Sequence, residues 1–181
     1  MTRNDMLKTF DNSPHALRIT PSIVVGVDAS AASREALCWA AGQSRLTGLP
    51  LRVVHVWQRT ALGASLASVA DHAETFATDA RARMTRWVLD TLGDGVTDVR
   101  WTLEIVEGAV GPLLVARARS ARILVLGTGN HTGLRRLVPG SVSHYCLSHG
   151  GVPVVAVPGA DTALPTSPAC SQVPATPGSL V

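Results

Sequence analysis

Lysine is almost missing from this chain: among its 181 residues there is one, Lys8, against fifteen arginines. A Walker-type phosphate loop needs Gly-Lys-Ser/Thr, which occurs nowhere, so that class of nucleotide hydrolase is excluded. Cysteine is scarce as well. Cys38, Cys146 and Cys170 are odd in number and lack CxxC spacing, which argues against a disulfide framework or a zinc knuckle and suits free thiols in a reducing compartment. Aromatic residues make up 4% of the chain and charged residues 16%, and no apolar run approaches the length of a bilayer span. The polar first residues, Met1 to Met6, contain no secretory apolar core, so a cytoplasmic location with no membrane association is expected. A net charge of +3 comes from scattered arginines rather than a basic stripe, and nucleic acid is not the expected partner.

Hydrophobic periodicity is plentiful and alternates in kind. Ser22 to Asp28 is a β-branched run ending in an acid, the pattern of a buried parallel strand. Ser30 can cap a following helix whose inner face is Ala36, Leu37, Ala40, Ala41 and Ser44, with Gly48 as its stop. Leu51 to Trp57 predicts a second strand, and steps of three and four from Leu66 to Trp87 predict a long helix over about 65–92, stopped by Gly93-Asp-Gly. Val99 to Val106, Arg122 to Gly127 and Val152 to Val157 predict strands three to five. Helices are expected over Val110 to Ser120 and Ser141 to His149. Strands separated by helices run parallel through right-handed crossovers, so the expected class is a doubly wound α/β sheet with helices on both faces. Residues 1–20 lack periodicity and 159–181 are rich in proline, so a flexible leader and a disordered tail are expected around a domain over 21–158.

The stretch Gly127 to Ser141 carries most chemistry. It joins an apolar strand to a helix opening with Gly140-Ser141, and a glycine-rich loop before a helix start offers close backbone approach and unpaired N–H groups to phosphate. Its glycines do not fit the dinucleotide fingerprint, being one residue too widely spaced. The spacing from Gly127 through position 130 to Gly140-Ser141 resembles the Gly-x2-Gly-x9-Gly-Ser/Thr of ATP-binding universal stress proteins. Val25 to Ser30 and Val54-His55-Val56 extend the likeness over about Pro21 to Pro158. One position departs: Asn130 stands where the second glycine is expected. Asparagine is the side chain that best tolerates positive φ, so the loop shape is expected to survive.

The resemblance implies a five-stranded sheet of order 3-2-1-4-5 and a Rossmann-like cradle for ATP or another adenine nucleotide, with Mg²⁺ as a companion. It implies a ligand set of Gly26, Val27, Asp28, Val56, Gly127, Thr128, Asn130, Gly133, Gly140, Ser141, Val142 and Ser143. In it Asp28 contacts the ribose or adenine side, and the backbone of Val56 the adenine edge. No catalytic residue and no protein-held metal are expected: the loop has neither acid nor lysine, and among His144, Cys146 and His149 the two histidines, five residues apart, do not share a helix face and have no acidic ligand nearby in sequence. Arg135 and Arg136 are expected to solvate the loop, and His55 to be a strand histidine with a hydrogen-bond partner. The favoured reading is a non-catalytic stress-response module, homodimeric through Val152 to Val157 and read by a regulatory protein partner. A nucleotide-free dimeric scaffold and an ATP-hydrolysing enzyme remain as alternatives.

Overall fold

A computed structural model describes residues 21–58, 69–129 and 141–159, with residues 69–76 given by backbone. Asn130, Gly133, Gly140, the two loop arginines, Cys170 and both chain ends lie outside the described residues. The elements follow one another as β1 (Ile23–Gly26), α1 (Ala31–Thr47), β2 (Leu51–Trp57), α2 (Val69–Leu92), β3 (Trp101–Glu107), α3 (Val110–Ala118), β4 (Ile123–Thr128), α4 (Val142–His149) and β5 (Val154–Pro158). All pairings are parallel and the order is β3-β2-β1-β4-β5, as expected from the family pattern.

The alternation of side chains along each strand splits the core into two layers. Val25, Val53 and Val125 face α1 and α2, meeting Ala36, Leu37, Ala40, Met84 and Val88. Val24, Val54, Leu124 and Leu126 face α3 and α4, meeting Leu114, Ala118 and Cys146. The small residues of α1 let it lie close to the sheet. At Gly127 the approach is closest, since a Cβ there would stand 2.4 Å from the backbone carbon of Ala32. On the other face Gly111 makes room for the Tyr145 ring, seating α4 on α3.

Helix ends obey their sequence signals. Ser30 Oγ accepts from the Ser33 N–H, and Gly48 at φ +68° closes α1 by donating its N–H to the Ser44 carbonyl. Between α2 and β3 the structure adds a 3-10 segment, Gly93–Asp98, where the sequence predicted only a stop. Arg45 Nη2 donates to the Gly95 carbonyl at 2.8 Å, tying that segment back to α1. The expected strands also shift at their ends. β1 stops at Gly26, two residues early, and β3 starts at Trp101 instead of Val99. β5 begins at Val154 instead of Val152, because Pro153 has no N–H and can offer β4 its carbonyl alone, which accepts from Leu124.

Candidate functional site

Past Gly26 the chain leaves the sheet through a tight turn. Val27 is still buried, Asp28 is exposed, and Ala29 takes φ +65° before Ser30 caps α1. The Asp28 carboxylate accepts the Ser30 N–H at 2.9 Å, and the Asp28 N–H points to Ser33 Oγ at 3.4 Å. Partial burial pushes the Asp28 carboxyl upward, but hydrogen bonds from Ser30 and Ser33 outweigh it, and its pKa lies below the ordinary 3.8. Asp28 is therefore a carboxylate at neutral pH, with lone pairs left over for a further donor.

Where β1 and β4 turn to opposite sides, the carboxyl edge opens into a cavity of about 190 Å³. Gly26, Val27 and Asp28 form its β1 side, Val54 and Val56 its β2 side, Leu126 and Gly127 its β4 side, and Val142 and Ser143 its α4 side. Doubly wound sheets bind ligands at this reversal of strand order. The helices α1, α3 and α4 all begin at this edge, and none carries an acid in its first turn. Ser141 Oγ accepts the His144 N–H at 3.1 Å, which leaves the N–H groups of Val142 and Ser143 without an intrahelical acceptor. Helix starts of this kind favour an anion. Ser143 Oγ donates to the Gly127 carbonyl at 3.2 Å, fixing α4 to the end of β4.

The β2 wall has a second polar feature. Val27 N–H donates to the Val54 carbonyl at 3.0 Å, yet β1–β2 pairing ends at Gly26 and Val54. In a parallel ladder the next bond would run from the Val56 N–H to the Val27 carbonyl. Among the described residues that bond is not made: the Val27 carbonyl meets His55 Nδ1 at 2.9 Å instead. The Val56 N–H and C=O therefore point toward the gap left by β1, beside Asp28. His55 thus has the hydrogen-bond partner expected for it.

Of the expected ligand set, the structure gathers Gly26, Val27, Asp28, Val56, Gly127, Val142 and Ser143 around one cavity, with Ser141 capping the adjoining helix. Thr128 is not among the lining residues. It is buried, and its hydroxyl donates to the Val157 carbonyl of the neighbouring strand β5 at 3.3 Å. Gly127 lines the cavity, and its missing side chain also accommodates the backbone of α1. Gly129 has open space where a Cβ would go. The expected set lacked six lining residues, Ser30, Ser33, Val54, Leu126, Val110 and Leu114. The last two are one helical turn apart on α3, so their shared face was legible, but their level along the sheet was not.

Among the described residues no three His, Cys, Asp or Glu side chains converge. Burial pushes the Cys146 thiol up to about 11, which keeps it protonated. No described helix is long and apolar enough to cross a membrane.

A model of the universal stress protein family matches residues 20–158. A universal stress protein of Mycolicibacterium smegmatis is 33% identical over 147 residues, covering 78% of this chain and 49% of that protein. The chain spans about half the length of the curated relatives it matches. The structure of the universal stress protein UspA from Lactobacillus plantarum is similar at TM-score 0.55 and 21% identity, over 76% of this chain and 97% of that one. A universal stress protein in complex with cAMP is similar at TM-score 0.50 and 19% identity, over 78% and 98%. At such identities the two structures speak for the fold. The family match over most of the sequence, with the sheet order and the cavity at its reversal point, shows that this chain belongs to the universal stress protein family.

Proposed function

We propose that this protein is a regulatory module that binds an adenine nucleotide at the carboxyl edge of β1 and β4, without turning it over. The observation that carries the reading is the meeting, in one cavity, of three helix starts lacking first-turn acids with one ionised carboxylate, Asp28. Helix starts favour phosphate, while a carboxylate accepts the vicinal hydroxyls of a ribose. The N–H and C=O of Val56 match adenine, which offers a ring nitrogen acceptor beside an amino donor; hypoxanthine reverses that pattern. The relative solved with cAMP supports the same ligand class.

Binding rather than hydrolysis is supported by the residue types that the chain offers. Phosphoryl transfer draws on a metal-holding acid and a cationic clamp near the terminal phosphate. In this reading Asp28, held in its turn by the Ser30 N–H, serves the ribose, and the loop from Gly127 to Ser141 has neither acid nor lysine in its sequence. Any Mg²⁺ would arrive on the phosphates of ATP. The module acts as a homodimer through β5, in a cytoplasmic stress-response role read by a protein partner.

Calorimetry with ATP, ADP, AMP and cAMP tests the reading, alongside phosphate release over hours. At least one adenine nucleotide should bind, ITP should bind more weakly than ATP, and Asp28→Ala should lower affinity roughly tenfold, the loss of one charge-assisted hydrogen bond. Null traces with all four adenine nucleotides would overturn it, and steady phosphate release abolished by Asp28→Ala would favour an enzyme.

A further inference from the structure

We propose that His55 is a positioning residue that keeps the Val56 amide free for a ligand by occupying the carbonyl with which that amide would otherwise pair. Its effect on affinity rests on the nucleotide reading above; its effect on the sheet does not.

Side chains alternate between the two faces of the sheet along β2. Val53 pairs with Val25 and faces α1 and α2, so His55 stands on that face, while Val54 and Val56 belong to the opposite face, which holds the cavity. The backbone of Val54 is turned toward β1, since its carbonyl accepts the Val27 N–H at 3.0 Å. Two residues on, the Val56 backbone must be turned the same way, and its natural acceptor is the Val27 carbonyl. That carbonyl is 2.9 Å from His55 Nδ1. A carbonyl only accepts, so Nδ1 carries the proton and the imidazole is held in one tautomer.

The ring therefore does two things. It satisfies a carbonyl that β1 leaves behind where it departs from the sheet, and it ends the ladder one bond short. The consequence is local: Asp28 and Val56 are held across an opening instead of being zipped together. A histidine is suited to this. Its side chain is long enough to reach the carbonyl of a neighbouring strand from its own face of the sheet, and its rigid ring keeps the spacing.

The experiment compares wild type, His55→Leu and His55→Asn, the last placing an amide donor close to where Nδ1 stands. Hydrogen exchange of individual amides is followed by NMR without nucleotide, and calorimetry follows ATP and, separately, tripolyphosphate, which has no base. In wild type the Val56 amide should exchange much faster than that of Val54. In His55→Leu it should pair with the Val27 carbonyl and slow at least tenfold, ATP affinity should fall roughly tenfold, and tripolyphosphate affinity should not change. His55→Asn should restore both toward wild type. A Val56 amide as protected as Val54 in wild type overturns the proposal, even if His55→Leu does not fold. So does His55→Asn behaving like His55→Leu, or unchanged Val56 exchange in a folded His55→Leu. If wild type binds no ATP, the nucleotide reading falls, and the exchange rates alone decide the role of His55.

Discussion

Ala29 is the described non-glycine residue with positive φ, at +65°, and it sits between Asp28 and Ser30 in the turn that joins β1 to α1. An L-residue in this region costs roughly 1–2 kcal/mol, so the turn persists because its neighbours hold it: Asp28 to the Ser30 N–H, and Ser30 to the Ser33 N–H. Ala29→Gly should therefore raise stability by about 1 kcal/mol in urea unfolding, and a loss would mean the alanine methyl makes a contact that matters more than the strain. Acid should expose the same turn. The Asp28 carboxyl is depressed below 3.8, so its contribution is present above that value and lost as pH falls through its lower folded value. Wild-type stability should drop more steeply than that of Asp28→Asn on acidification from about pH 4 to about pH 2, and identical slopes would refute the assignment. The two glycines that line the cavity separate just as clearly. A methyl at Gly127 would strike the α1 backbone, which cannot yield, and should cost about 2 kcal/mol or more. At Gly26 it would meet the ends of Leu126 and Leu114, which can move but also wall the cavity. Gly26→Ala should therefore cost less stability than Gly127→Ala while weakening ligand binding, as paired thermal melts and calorimetry would tell.

At the scale of elements, the sequence announced most of the fold because buried parallel strands and capped helices leave strong local signals. β2 runs from Leu51 to Trp57 as expected, and Ser30 and Ser141 cap the helices that follow them. What the sequence missed has a common physical cause: it depends on which neighbour is present in space. β1 ends at Gly26 because His55, 28 positions away, takes the next acceptor. Thr128, counted in the ligand set the resemblance implies, gives its hydroxyl to the Val157 carbonyl of β5. The 3-10 segment after α2 is held by Arg45 of α1, a contact no local pattern encodes. The site was legible in part: Asp28 and the start of α4 stood out at a strand end and a helix start, Val56 entered through the family resemblance alone, and Ser33 and the α3 wall required the helices to be docked. A cap can be tested as an element. Ser141→Ala removes the acceptor of the His144 N–H and should cost about 1 kcal/mol, with faster amide exchange at His144. If exchange there is unchanged, Ser141 is not the cap in solution.

The whole sheet has two edges, and they are treated differently. On β3 the backbone groups of Leu103 point outward, and Arg81 Nη1 of α2 donates to the Leu103 carbonyl at 3.1 Å, placing a charged side chain over an edge that would otherwise invite pairing. β5 forms the opposite edge. Pro153 and Val157 turn their carbonyls toward β4, which accept from the Leu124 N–H and the Thr128 hydroxyl, so the intervening even positions, Val154 and Ala156, turn theirs away. An antiparallel dimer about a two-fold axis through Val155 would join Val154 of one copy to Ala156 of the other in both directions. This geometry selects the informative variant. A proline at Val155 would remove a donor from the β4 ladder and damage the sheet itself. Ala156→Pro removes an outward N–H that β4 does not use, and edge strands tolerate proline. Light scattering at micromolar concentration should give a dimer for wild type and a monomer for Ala156→Pro, with little change in melting temperature when both are monomeric on dilution. A monomeric wild type would refute the dimer, and a dimeric Ala156→Pro would place the interface away from β5.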